Sequence, residues 1–81
     1  MNTNKTILIV DDESAIRDML RVALEMADYH CLEAADTQSA HALIIDQKPS
    51  LILLDWMLPG TSGIDLARRL KKDEFTADIP I

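Results

Sequence analysis

The sequence predicts an α/β fold, a doubly wound parallel sheet, and three observations carry that prediction. Two short apolar runs, Thr6-Ile7-Leu8-Ile9-Val10 and Leu51-Ile52-Leu53-Leu54, each end abruptly in aspartate. Runs of that kind suit strands buried on both faces, as in a parallel sheet. The segments between and after them place apolar residues at helical spacing. Strands and helices therefore alternate, which implies parallel pairing through right-handed crossovers.

The first strand gives way to Asp11-Asp12-Glu13. A helix is then predicted from about Ser14 to about Ala27. Its apolar residues Ile16, Met19, Leu20, Ala23, Leu24 and Ala27 mark one face at the helical period, with Arg17, Asp18, Arg21, Glu25 and Asp28 off it. Residues 29–35 read as a second strand. His30 and Glu33 interrupt its apolar run, which suits an edge better than a centre. Asp36 or Thr37 caps a second helix that runs to about Asp46, turns Ala40, Leu43 and Ile44 inward and is ended by Pro49. After the third strand, Ser62 and Asp65 have capping-box spacing for a helix from Gly63 to about Lys72. Leu66, Ala67 and Leu70 line its inner face, and Lys71 and Lys72 fall where cations favour the helix dipole. Residues 77–81 are expected to lead into a fourth strand.

The composition bounds the function. With 48% hydrophobic and 27% charged residues the chain is globular in character, though 81 residues is short for such a domain. A net charge of -6 makes it a poor nucleic-acid binder in its own right. The one cysteine, Cys31, cannot form an internal disulfide and reads as a small core hydrophobe. The start of the chain lacks a signal peptide's apolar region, and no stretch approaches the roughly 20 residues that span a bilayer. A cytoplasmic protein with no membrane association is the expectation.

If the first strand is central, the second and third flank it, and the winding direction reverses between the first and third. Ligands bind at such switch points, beyond the carboxyl ends of the strands. Asp11, Asp12 and Asp55 all fall there. Adjacent strands are only about 4.8 Å apart, and carboxylates that close resist joint ionisation. A hard cation relieves this, and magnesium often takes one or two carboxylates together with phosphate oxygens. A carboxylate beside it can attack a phosphoryl group to give an aspartyl phosphate. An aspartate after a strand is often only a turn or cap residue. Two apolar strands that both end in aspartate at the switch point favour a site.

The stretches Ile7-Leu8-Ile9-Val10-Asp11-Asp12-Glu13 and Leu51-Ile52-Leu53-Leu54-Asp55-Trp56-Met57-Leu58-Pro59-Gly60-Thr61-Ser62-Gly63 closely resemble the receiver domain of bacterial response regulators. The resemblance implies a flavodoxin-like (CheY-like) sheet of strand order 2-1-3-4-5. It also implies that Asp55 accepts a phosphoryl group from a phosphohistidine on a sensor histidine kinase. Asp12 would bind Mg2+ directly, Asp11 mostly through water, and Asp55 and the backbone carbonyl of Met57 would complete the protein ligands. The chain, 1–81, would be a receiver domain incomplete at its C-terminus, truncated near the start of strand 4. It would lack the Ser/Thr and Lys that receivers carry after their fourth and fifth strands, and Lys5, Lys48, Lys71 and Lys72 do not replace them by position. Such a module is not a turnover enzyme. It controls transcription through DNA contacts of a C-terminal effector domain outside this chain, and the intact protein is expected to form a homodimer on phosphorylation. The first helix would dock the kinase, with Ala15 and Arg17 as candidates to face it.

Competing readings are weaker. A magnesium-dependent phosphatase of the haloacid-dehalogenase type carries Asp-x-Asp on its first strand, whereas this chain has Asp11-Asp12-Glu13. A flavodoxin-like cofactor binder needs a Ser/Thr/Gly-rich phosphate loop after the first strand, and none follows. A receiver acting only through protein contacts would not need all of Asp11, Asp12 and Asp55. His30 and His41 lack metal-ligand spacing. The Arg68-Arg69-Leu70-Lys71-Lys72 run reads as a solvated helix end, and Trp56 as a half-exposed aromatic over the loop.

Overall fold

The structure is a computed structural model that describes residues 5–55, 58 and 62–81. Its elements run β1 (Thr6–Val10), α1 (Ser14–Met26), β2 (His30–Ala34), α2 (Thr37–Gln47), β3 (Leu51–Leu54) and α3 (Gly63–Lys72). The three strands form one parallel sheet in the order β2-β1-β3, so β1 is central and β2 lies at an edge as its polar residues suggested.

Register and alternation decide which residues share a face. Leu8 and Val10 of β1 align with Leu32 and Ala34 of β2 and with Ile52 and Leu54 of β3. That face carries the main core, where Ala40 and Ile44 of α2 and Leu66 and Leu70 of α3 pack with Leu8, Val10, Ile52 and Ile79. Ile7 and Ile9 point the other way, toward α1, and align with Cys31 and Glu33 on one side and Leu51 and Leu53 on the other.

The helices begin and end for identifiable reasons. Asp36 caps α2, its Oδ1 accepting from the Ser39 amide at 2.7 Å. Ser62 caps α3, its Oγ accepting from the Asp65 amide at 3.2 Å. At the end of α1 the Tyr29 amide donates to the Leu24 carbonyl and the Asp28 amide to that of Glu25. This is the Schellman pattern, with Asp28 in the left-handed region at φ 69. Lys48 closes α2 in the same region, just before Pro49.

Two expectations need correction. No residue of α1 is buried, and of the residues assigned to its inner face Met19, at 61%, Ala23 and Ala27 are exposed. The helix instead turns Leu20 and Leu24 inward and swings Arg17 and Arg21 over β2, where both guanidiniums meet Glu33. Met19 precedes Leu20 by about 100° of helical rotation, which carries it to the outer side. Residues 77–81 lead up to the edge of β3, as expected of the approach to a fourth strand, and form no strand themselves among the described elements. The chain turns through 73–79, held by Thr76 and Ile79 amide bonds, before the Pro80 carbonyl accepts from the Ile52 amide at 3.0 Å. The segment therefore reaches the edge of β3 with one ladder-type bond. Cys31 is only partly buried, on the α1 side of β2. Burial, then the nearby Glu25, pushes its thiol above the ordinary value and keeps it protonated at neutral pH.

Candidate metal and phosphoacceptor site

The site grows out of the β1–β3 register. Val10 pairs with Leu54, so the next residues, Asp11 and Asp55, leave the sheet side by side. The ladder continues one step beyond the strands. The Asp55 amide donates to the Val10 carbonyl at 2.9 Å, and the Asp11 amide donates to the Ala34 carbonyl of β2 at 3.1 Å. Both aspartates are thereby fixed by backbone bonds to the central sheet, and their carboxylates project past the strand ends.

Asp11, Asp12 and Asp55 each bring one carboxylate oxygen to within 4.8 Å of the others. Asp11 and Asp55 are half-buried and Asp12 is exposed. The donor set is all oxygen and trianionic, which matches a hard divalent cation. Ligands on opposite sides of an octahedral magnesium lie about 4.2 Å apart, twice its bond length. A spread of up to 4.8 Å fits two direct ligands and a third reached through water, or a slight closure of all three. Met57, whose carbonyl was expected to join them, and Trp56 lie outside the described residues.

The turn that carries the acidic pair is braced from two directions. The Asp11 Oδ1 accepts from the Glu13 amide at 2.9 Å, and the Asp11 carbonyl accepts from Arg17 Nη1 at 2.6 Å. Arg17 Nε also donates to Glu33 Oε1 at 3.2 Å. Arg17 is thus engaged beneath the site, with its side chain only 17% exposed, while Ala15 is exposed. Sequence reading missed this brace. Its signal was an acidic residue in the middle of an edge strand together with two arginines one turn apart on the preceding helix. The lysines lie elsewhere: Lys71 Nζ donates to the Ala77 and Ile79 carbonyls, and Lys48 sits over the Phe75 ring. An open groove of about 430 Å³, lined by Ile9, Leu20 and Leu53, leads up to Asp11 and Asp55.

The family model for the response regulator receiver domain matches residues 7–81. The chain belongs to that family. It is 77% identical over 77 residues to the phosphate regulon transcriptional regulatory protein PhoB of Pseudomonas aeruginosa, a match covering 95% of this chain and 34% of that protein. Among solved structures, the chemotaxis response regulator CheY4 of Vibrio cholerae superposes with a TM-score of 0.93 at 28% identity, over 98% of this chain and 66% of that one. The response regulator TrrA of Thermotoga maritima, solved in complex with Mg(2+)-BeF, superposes with a TM-score of 0.83 at 33% identity, over 86% of this chain and 61% of that one. The chain thus spans about a third of the length of the curated PhoB relative.

The sheet order 2-1-3 is that of the flavodoxin-like receiver fold. Receiver domains of PhoB-type regulators are phosphoacceptors in two-component signalling, and this chain's relatives are named as transcriptional regulators. These matches favour the receiver over the haloacid-dehalogenase alternative. No helix among the described residues is long and apolar enough to cross a membrane.

Proposed function

We propose that Asp55 is the phosphoryl acceptor of this receiver and that Asp11, Asp12, Asp55 and the Met57 carbonyl hold Mg2+ beside it. The observation that carries this reading is the convergence of the three carboxylates from two neighbouring strand ends. A carboxylate oxygen of Asp55 attacks the phosphorus of a phosphohistidine. The new O–P bond forms as the P–N bond breaks, the electron pair of that bond goes to the ring nitrogen, and the ring departs as neutral imidazole because its other nitrogen carries a proton. Bound Mg2+ would neutralise charge on the transferring group and help to orient it. Asp11 and Asp12 would position that ion, and the backbone bonds of Asp55 keep its carboxylate directed out of the sheet.

The donor in this reading is a sensor histidine kinase, and the module is a signalling switch rather than a turnover enzyme. DNA binding belongs to an effector domain outside this chain, and phosphorylation promotes a homodimer of the intact cytoplasmic protein. The resemblance to PhoB-type regulators supports these assignments.

The test is incubation of the full protein with a small phosphodonor and Mg2+, followed by intact and peptide mass spectrometry. One phosphoryl group on Asp55, absent from Asp55→Asn, is expected. Sustained release of phosphate from many phosphomonoesters without a labelled Asp55 would instead indicate a phosphatase.

A further inference from the structure

We propose a second ligand site, separate from the acidic crevice, in the cleft between the start of α2 and α3. It would take the oxyanion of a small phosphate or carboxylate compound. The cleft is a cavity of about 300 Å³ lined by Thr37, Gln38, His41, Leu66 and Arg69. Buried Leu66 forms an apolar floor, and the other four residues supply a hydroxyl, an amide, an imidazole and a guanidinium.

Thr37 is the telling residue. It is only 8% exposed, yet its hydroxyl makes no hydrogen bond to any described residue. No fully enclosed side-chain oxygen or nitrogen among the described residues lacks a partner. The small exposed surface of Thr37 therefore includes its hydroxyl, and the space that residue borders is this cleft. The residue is almost wholly enclosed, so its one uncommitted polar atom faces this cleft and is free to bond a ligand there.

The cationic side is uncommitted as well. Asp65, in the first turn of α3, faces Arg68, and Arg69 forms no ion pair among the described residues. A guanidinium presents its donors as a planar fork suited to two oxygens of one oxyanion. The free amides of the α2 N-terminus are not what makes the site. Asp36 already accepts from Ser39 there, and the binding groups are side chains.

The experiment titrates the full protein with inorganic phosphate in Mg2+-free buffer at constant ionic strength, read by NMR at the Thr37 and Gln38 amides, the His41 ring and the Arg69 Nε–H. Saturable shifts at these groups are expected, and they should persist in Asp55→Asn, which separates this site from the phosphoacceptor. Arg69→Gln should weaken binding about tenfold, the order of a lost charge-assisted hydrogen bond, and Thr37→Val by a smaller factor. Arg69 is exposed, so its replacement does not threaten the fold. A parallel titration with malonate assigns the ligand class: tighter phosphate binding indicates a phosphate compound, tighter malonate binding a carboxylate. Shifts that rise linearly without saturating, or an affinity unchanged by Arg69→Gln, would overturn the proposal.

Discussion

Arg17 holds the backbone of Asp11. Its Nη1 donates to the Asp11 carbonyl at 2.6 Å while its Nε is held by Glu33 at 3.2 Å. One side chain thus ties α1, the edge strand β2 and the turn bearing the acidic pair. Arg21 reaches the other oxygen of Glu33 at 3.2 Å, so that carboxylate anchors two guanidiniums. The brace touches no ligand atom. It acts on where the Asp11 and Asp12 carboxylates stand.

Removing the brace should therefore weaken the metal site without deleting a ligand. Arg17→Met keeps the aliphatic stem and loses both hydrogen bonds, and Mg2+ affinity is expected to fall by about tenfold, the lower range for groups that orient ligands. Glu33→Gln should have a smaller effect, because Arg17 can still reach the Asp11 carbonyl. The fluorescence of Trp56, the only tryptophan and the neighbour of Asp55 in sequence, offers the readout in a magnesium titration. An unchanged affinity in Arg17→Met would show that the turn is held by Glu13 and the sheet alone.

The three carboxylates also oppose one another when no cation is bound. Two unit charges about 5 Å apart repel by about 1 kcal/mol in water. Asp12 is exposed and its side chain makes no hydrogen bond or ion pair among the described residues, so Asp12→Asn removes repulsion and little else. Without Mg2+, this variant should melt higher than the parent, by up to about 1 kcal/mol in stability. With millimolar Mg2+ the order should reverse, because the parent gains binding free energy that the variant lacks. Thermal unfolding with and without the ion checks both halves. A variant stabilised by Mg2+ as much as the parent would remove Asp12 from the site.

Much of this arrangement was legible in the chain because its signals are local. The bounds of β1, β3 and α3 follow from apolar runs closed by aspartate and from the Ser62–Asp65 spacing. The edge position of β2 follows from Glu33. The meeting of Asp11, Asp12 and Asp55 follows from strand order alone, since neighbouring parallel strands that end in step must release their next residues together. Other features had no local signal. Helix ends at Asp28 and Lys48 use the left-handed region without glycine, the usual marker of such a cap. The inner face of α1 was misjudged at Met19, Ala23 and Ala27 because periodicity fixes a stripe but not the rotation of the helix about its axis. The observed rotation brings Arg17 and Arg21 to Glu33, contacts between residues far apart in sequence.

Stability should depend on pH through the cap of α2. Hydrogen bonding by Ser39, its amide first and then its hydroxyl, holds the Asp36 carboxyl below the usual range, against slight desolvation. A carboxyl whose folded value lies below its unfolded value stabilises the fold above the unfolded value, about 3.9, and that contribution is lost as pH falls through the folded value. Asp36→Asn keeps a good capping residue but no charge. The parent should therefore exceed Asp36→Asn in stability near neutral pH, and the gap should close as the pH is lowered below about 4. Urea unfolding of the two proteins across that range gives the comparison. A gap that does not change with pH would show that the charge of Asp36 is immaterial to the cap.

Thr76 is the buried polar residue on which the C-terminal segment turns. It is 1% exposed, and its Oγ1 donates to the Leu70 carbonyl at 2.6 Å. Leu70 lies in the last turn of α3, where carbonyls have no partner within the helix, so the hydroxyl closes that end from outside. The same turn sets Ile79 into the core and brings the Pro80 carbonyl to the Ile52 amide. Thr76→Val preserves shape and deletes the donor, leaving a buried carbonyl without this bond. The expected loss is about 1–3 kcal/mol. Thr76→Ser, which keeps the hydroxyl, should cost less. Hydrogen exchange adds a local test, because the Ile52 amide should lose protection in Thr76→Val if the turn delivers Pro80 to β3. Full protection there, in a destabilised variant, would mean that Pro80 is held against the strand by Ile79 and the Lys71 contacts instead.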